Sequence, residues 1–178
     1  RIFENDQKVS SKAAEDSFTL LKLLANYIKK YNKSIIIQSK SKKLNLVEKI
    51  FFDKLFTGTN YKIDLLDNEL KFNSYRNISS SKIIVGAPST LLREASVYSD
   101  TKILCFSTEN KDDKYPYAGL NLLRENSSEK FDERLNLLFA LPYEEYVKKL
   151  QPKHNYLMEN IDTIEYLREF IKNGSKFI

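Results

Sequence analysis

The chain has 178 residues, 42% of them hydrophobic and 12% aromatic, which is enough to bury a core in one domain and excludes a wholly disordered polypeptide. Its 29 basic and 24 acidic residues leave a net charge of +5, a mild and interspersed excess that suits an anionic ligand or surface without amounting to a nucleic-acid-binding pattern. No apolar run reaches the roughly 20 residues that span a bilayer, and a single cysteine excludes an internal disulfide and fits a reducing cytoplasm.

The chain opens on Arg1 rather than Met and shows no signal-peptide pattern, as expected of a fragment of a larger protein. From Ser11 to Tyr31, Phe18, Leu21, Leu24 and Ile28 recur at helical spacing with lysines between them, predicting an amphipathic helix. Ser34 to Gln38 is a β-branched run without polar alternation, as a strand covered on both faces reads. A polar loop, Ser39 to Lys43, leads to a helix over Leu44 to Phe56, a strand over Tyr61 to Leu66 and a short helix near Phe72 to Ile78. Lys82 to Gly86 is a third strand, Leu91 to Tyr98 a helix, and Thr101 to Phe106 a fourth strand in which Cys105 reads as a buried thiol rather than a nucleophile. Ser107 to Tyr115 is a loop and Tyr115 to Gly119 a turn. From Ser128 onward the pattern is helical, over 131–138, 143–150 and 161–171.

Such alternation predicts an α/β fold: a Rossmann-like, mostly parallel sheet flanked by helices on both faces, with right-handed crossovers. Residues 1–178 form one domain, of which about 128–178 is a helical C-terminal extension. In open sheets of this kind ligands sit beyond the carboxyl ends of the strands, which directs the search to the loops after Gln38, Val85 and Phe106.

The strongest local signal is Ile83 to Ala95, where a strand passes through Gly86, Ala87 and Pro88 into a helix opening on Ser89 and Thr90. A hydroxyl cap, free backbone N–H groups and the positive end of the helix dipole make an anion site there, with phosphate the obvious guest. Thr90 and Glu94 lie four apart on one helix edge, which puts Glu94 one turn behind a bound phosphate, within reach of ribose hydroxyls. An ordinary capped connection with a solvated glutamate fits the same spacing. The second candidate is the loop that starts at Ser39 after the first strand, where the ammonium groups of Lys40 and Lys42 could neutralise a diphosphate or a sugar carboxylate, though a solvated connection is the plainer reading. His154 has no Cys or acidic residue at metal-ligand spacing and reads as a surface or capping residue. Tyr115 and Tyr117 suit stacking on a base or sugar, or simply packing a loop. Asp112, Asp113, Glu144 and Glu145 read as solvated. The GxGxxG and GxxxxGK[ST] fingerprints are absent, against a dinucleotide dehydrogenase or a P-loop NTPase.

The segment Val85-Gly86-Ala87-Pro88-Ser89-Thr90-Leu91-Leu92-Arg93-Glu94-Ala95 resembles the C-terminal, donor-binding half of GT-B glycosyltransferases, particularly bacterial surface-polysaccharide enzymes similar to CDP-glycerol transferases, Kdo transferases and sialyltransferases. The resemblance extends over residues 11 to 106 in layout and about ten residues in motif. It implies a domain that binds a nucleotide-sugar donor, with Ser89 and Thr90 on the phosphate, Glu94 on the ribose, Gly86 and Pro88 shaping the turn, and Ser39 and Lys40 in the loop that meets the donor. Many such enzymes carry a His-Pro pair where this chain has Ser39-Lys40; lysines there would suit a CMP-linked acidic sugar such as Kdo or sialic acid. The resemblance also implies a glycan or glycolipid acceptor, an N-terminal GT-B partner domain supplying the catalytic base, no metal, no further cofactor and no nucleic acid. Work on lipopolysaccharide or capsule would place it in the cytoplasm or at the inner face of the cytoplasmic membrane. A nucleotide-sugar epimerase half-domain, or a basic module binding nucleic acid or a protein, are the alternative readings.

Overall fold

A computed structural model describes residues 12–39, 41–65, 73–109 and 117–150. Lys40, Asp112, Asp113, Tyr115, His154 and the expected helix over 161–171 lie outside the described residues.

Helix α1 runs from Lys12 to Tyr31 and ends where Asn32 adopts the left-handed conformation (φ 48°), a common helix stop, with the Lys33 N–H returning to the Ile28 carbonyl. Strand β1 follows at Ser34–Gln38. Helix α2, Leu46–Leu55, opens on a capping box in which the Asn45 side chain accepts from the Glu48 N–H and Glu48 accepts from the Asn45 N–H. Then come β2 (Asn60–Asp64), α3 (Asn73–Ser80), β3 (Ile83–Gly86), α4 (Thr90–Tyr98) and β4 (Lys102–Phe106). A single 3-10 turn at Gly119–Asn121 leads into the two-residue β5 (Leu122–Leu123), followed by α5 (Ser128–Ala140) and α6 (Tyr143–Lys149).

Among the described residues every strand pairing is parallel: β1 with β2 in one sheet, and β3-β4-β5 in order in a second. The expected single sheet is thus two short ones, and no ladder joins β1 to β3 among the described residues. Side chains make the junction instead, since Ile35 and Ile37 of β1 and Ile83 and Val85 of β3 pack against one core cluster.

Strand alternation sorts the core into two layers. Leu104, Phe106 and Leu123 point to one face, where they meet Leu20, Leu24, Tyr27 and Ile28 of α1 and Phe131, Leu135 and Leu138 of α5. Ile103 and Cys105 point to the other, against Ile78 of α3 and Leu92 and Ala95 of α4. The result is an α/β domain of short parallel sheets flanked by helices, a Rossmann-like layout. β1 departs from the expectation of cover on both faces: Ile36 is 42% exposed, because the α1 and α2 layer takes only its odd-numbered neighbours. Among the described residues no helix is long and apolar enough to cross a membrane.

Candidate functional site

Hydrogen bonds level the strand ends. Asp64, the last residue of β2, pairs in register with Gln38, the last of β1, and accepts at 2.6 Å from both Asn73 and Asn77 of α3, while Asn77 also donates to Gln38 at 2.9 Å. The start of α3 is thereby pinned to the carboxyl ends of β1 and β2. One turn on from the β3 end, Glu94 of α4 accepts from the Tyr75 hydroxyl of α3 at 2.7 Å. The first turn of α3 is therefore tied both to the ends of β1 and β2 and, through Tyr75, to α4.

At the β3 end the chain turns through Gly86, Ala87 and Pro88, all half-buried, and Ser89 caps α4 with extended backbone, its Oγ accepting from the Leu92 N–H at 3.2 Å. Arg93 N–H reaches the Ser89 carbonyl at 3.2 Å. Helix geometry leaves the N–H groups of Thr90 and Leu91 with no carbonyl of α4 to reach, and Thr90 is exposed. Gly86 has no left-handed backbone, and a Cβ there would meet the Leu92 methyls at 3.9 Å, an ordinary van der Waals contact, so neither a strained turn nor close packing of strand on helix demands glycine at this position. Glu94 is half-buried with one oxygen engaged by Tyr75.

In the loop after β1, Ser39 donates its N–H to the Asp64 carbonyl at 2.8 Å, and its hydroxyl accepts from the Ser41 N–H at 3.0 Å, which spends that side chain partly on shaping the loop. Lys42 is exposed. At the β4 end, Asp16 of α1, only 2% exposed, accepts from the Thr108 N–H at 2.9 Å, the Thr108 hydroxyl at 2.6 Å and the Ser107 hydroxyl at 3.3 Å. Cys105 is wholly buried, and burial pushes its thiol up to about 12, so it is no nucleophile. Tyr117 is 2% exposed and packs among Leu92, Ala95 and Cys105 rather than offering a face for stacking. Among the described residues no three His, Cys, Asp or Glu side chains gather as metal ligands.

The sequence reading missed Gln38, Asp64, Asn73, Asn77, Tyr75 and Asp16. One signal was present: Asp16 lies four residues before Leu20, a charge on the buried stripe of α1. The i, i+4 pair Asn73 and Asn77 announces one helix face but not the carboxylate it grips.

The sequence model of a family described as "putative O-antigen biosynthesis protein" matches residues 12–122, more than half of the chain. The chain belongs to that family. The matched span runs from the first residue of α1 to the first of β5 and includes every candidate site residue. Searches of curated proteins and of solved structures returned no match. Membership fits a role in surface-polysaccharide synthesis.

Proposed function

We propose that this chain is the donor-binding domain of a glycosyltransferase that uses a nucleotide-activated sugar, acting with a separate acceptor-binding domain that supplies the catalytic base. The observation that carries the reading is the α4 N-terminus, which opens beside the carboxyl ends of parallel strands within a family named for O-antigen biosynthesis. Ser89 spends its oxygen lone pair on the Leu92 N–H and keeps its hydroxyl hydrogen to donate to phosphate. That hydrogen, the Thr90 hydroxyl and the first N–H groups of α4 would stabilise the charge that develops on the leaving nucleotide as the glycosidic bond breaks. Lys40 and Lys42 would answer a second phosphate or an acidic sugar such as Kdo in a CMP-linked donor. Glu94, held by Tyr75 through one oxygen, offers the other to ribose hydroxyls. No metal enters this scheme, and the acceptor would be a glycan or glycolipid.

Calorimetric titration with CMP, CDP, UDP and a short oligonucleotide tests it. Ser89→Asp separates the cap from the ligand: aspartate caps a helix as well as serine, yet sets a negative charge where phosphate would lie. Nucleotide binding that is lost in Ser89→Asp and weakened in Glu94→Ala, with folding intact, supports the reading. Oligonucleotide binding alone, or nucleotide binding indifferent to Ser89→Asp, rejects it.

A further inference from the structure

Helix α2 reverses the usual pattern of a surface helix. Phe52 and Leu55 turn to the core, as they should, yet the opposite side carries Leu46 (73% exposed), Val47 (60%) and Ile50 (57%) where charged residues would normally stand. At 100° per residue Leu46, Ile50 and Lys54 form one outward stripe, with Val47 beside it. Exposed lysines surround it: Lys42 and Lys43 before the helix, Lys49 on its flank and Lys54 at its end. Of the two acidic residues of the helix, Glu48 accepts from the Asn45 N–H and the exposed Asp53 from the Tyr61 hydroxyl; both donors are neutral, so both carboxylates keep their charge and the four lysines outnumber them by two. None of the four lysines forms an ion pair among the described residues. The stripe continues into Phe51, stacked on Phe18 at 5.3 Å under the Lys22 ammonium.

We propose that the outer face of α2 docks on the anionic surface of a lipid bilayer, its three aliphatic side chains entering the headgroup boundary while the lysines meet acidic headgroups. The charge decides for a membrane over a second copy of the chain: four lysines against Glu48 and Asp53 leave the face net positive, so two copies would repel one another while acidic headgroups would attract it. α2 begins just after the loop at the β1 carboxyl end, so docking would hold the donor side of the domain close to the membrane surface. The inference does not rest on the donor reading.

Co-sedimentation of the full chain with vesicles tests it. Binding is expected to phosphatidylglycerol mixed with phosphatidylethanolamine, to weaken with salt, and to be absent with phosphatidylcholine alone. Replacing each lysine by glutamine should cost about fivefold. The triple variant Leu46→Ser, Val47→Ser, Ile50→Ser should cost about tenfold or more, with an unchanged circular dichroism spectrum because all three side chains are exposed. Equal binding to both lipids, no binding to either, or no effect of the triple variant overturns the proposal. So does a dimer in sedimentation equilibrium that the triple variant makes monomeric. Nucleotide titration on the Leu46/Val47/Ile50 triple variant, which touches no proposed donor residue, should be unchanged, which separates failure here from failure of the donor site.

Discussion

Tyr117 and Tyr146 are each 2% exposed, but they differ in one respect that mutation can read. The Tyr146 hydroxyl accepts from the Ile103 N–H of β4 at 3.2 Å. The Tyr117 hydroxyl, packed between the sheet and α4, has no hydrogen-bond partner among the described residues. Removing the oxygen from each by Tyr→Phe leaves the ring and most of its packing in place, so the two changes isolate the hydroxyl. In Tyr146→Phe a backbone N–H on a wholly buried strand residue loses its partner, which costs about 1–3 kcal/mol. In Tyr117→Phe a desolvated, unpaired hydroxyl disappears, and the folded state should gain about 1 kcal/mol or at least lose nothing. Urea unfolding at neutral pH measures both, and the two variants should move the midpoint in opposite directions at constant slope. A loss of more than about 1 kcal/mol in Tyr117→Phe would show that its hydroxyl is bonded, and would refute the reasoning.

Asp16→Ala strands three donors of Ser107 and Thr108 around a buried site, so it should cost about 3–5 kcal/mol in urea unfolding, with Asp16→Asn costing less because it keeps one acceptor. A change below about 1 kcal/mol would mean that the loop after β4 is held by something else. Cys105 should resist iodoacetamide at about pH 8 until the chain is unfolded, because its thiol is buried and its titration pushed up to about 12. Burial also pushes Tyr27 and Tyr146 up to about 12. The folded chain holds these protons more tightly than the unfolded one, so this stability is full below the unfolded thiol and phenol values and drains as pH rises from about 9 towards 12. A urea midpoint that climbs over that range contradicts the assignment. Tyr75→Phe frees the Glu94 carboxylate from its neighbour, and ribonucleotide affinity should fall about three- to tenfold. A 2′,3′-dideoxy analogue, lacking the hydroxyls Glu94 would receive, should be indifferent to it; equal loss for both would detach Glu94 from the ribose.

The strands were legible because buried parallel strands write themselves as short β-branched runs. Ser34 to Gln38 coincides with β1, and Lys82 to Gly86 and Thr101 to Phe106 contain β3 and β4 with one residue to spare. The helices were legible from their spacing, and Ser89 as a cap from its place before Thr90. β5 was not, since two residues cannot show a period. Nor was the exposed face of Ile36, because an isoleucine run looks the same whether one side or both are covered.

The polar pins were illegible for a different reason. Apolar periodicity is a local property, but the bonds that align the strand ends cross long stretches of chain: 39 residues from Gln38 to Asn77, 92 from Asp16 to Thr108, 19 from Tyr75 to Glu94. Nothing near Asp64 in sequence distinguishes it from a solvated carboxylate at a strand end; only the fold, by delivering Asn73 and Asn77, makes it the buried acceptor that fixes α3 against β1 and β2. Pattern therefore settles which loops share an edge, while these side chains settle how the loops face one another. A domain with the same strands and helices but without Asp64, Asn77 and the Tyr75–Glu94 bond would keep its core and lose the alignment of α3 and α4 on which any ligand site at this edge depends.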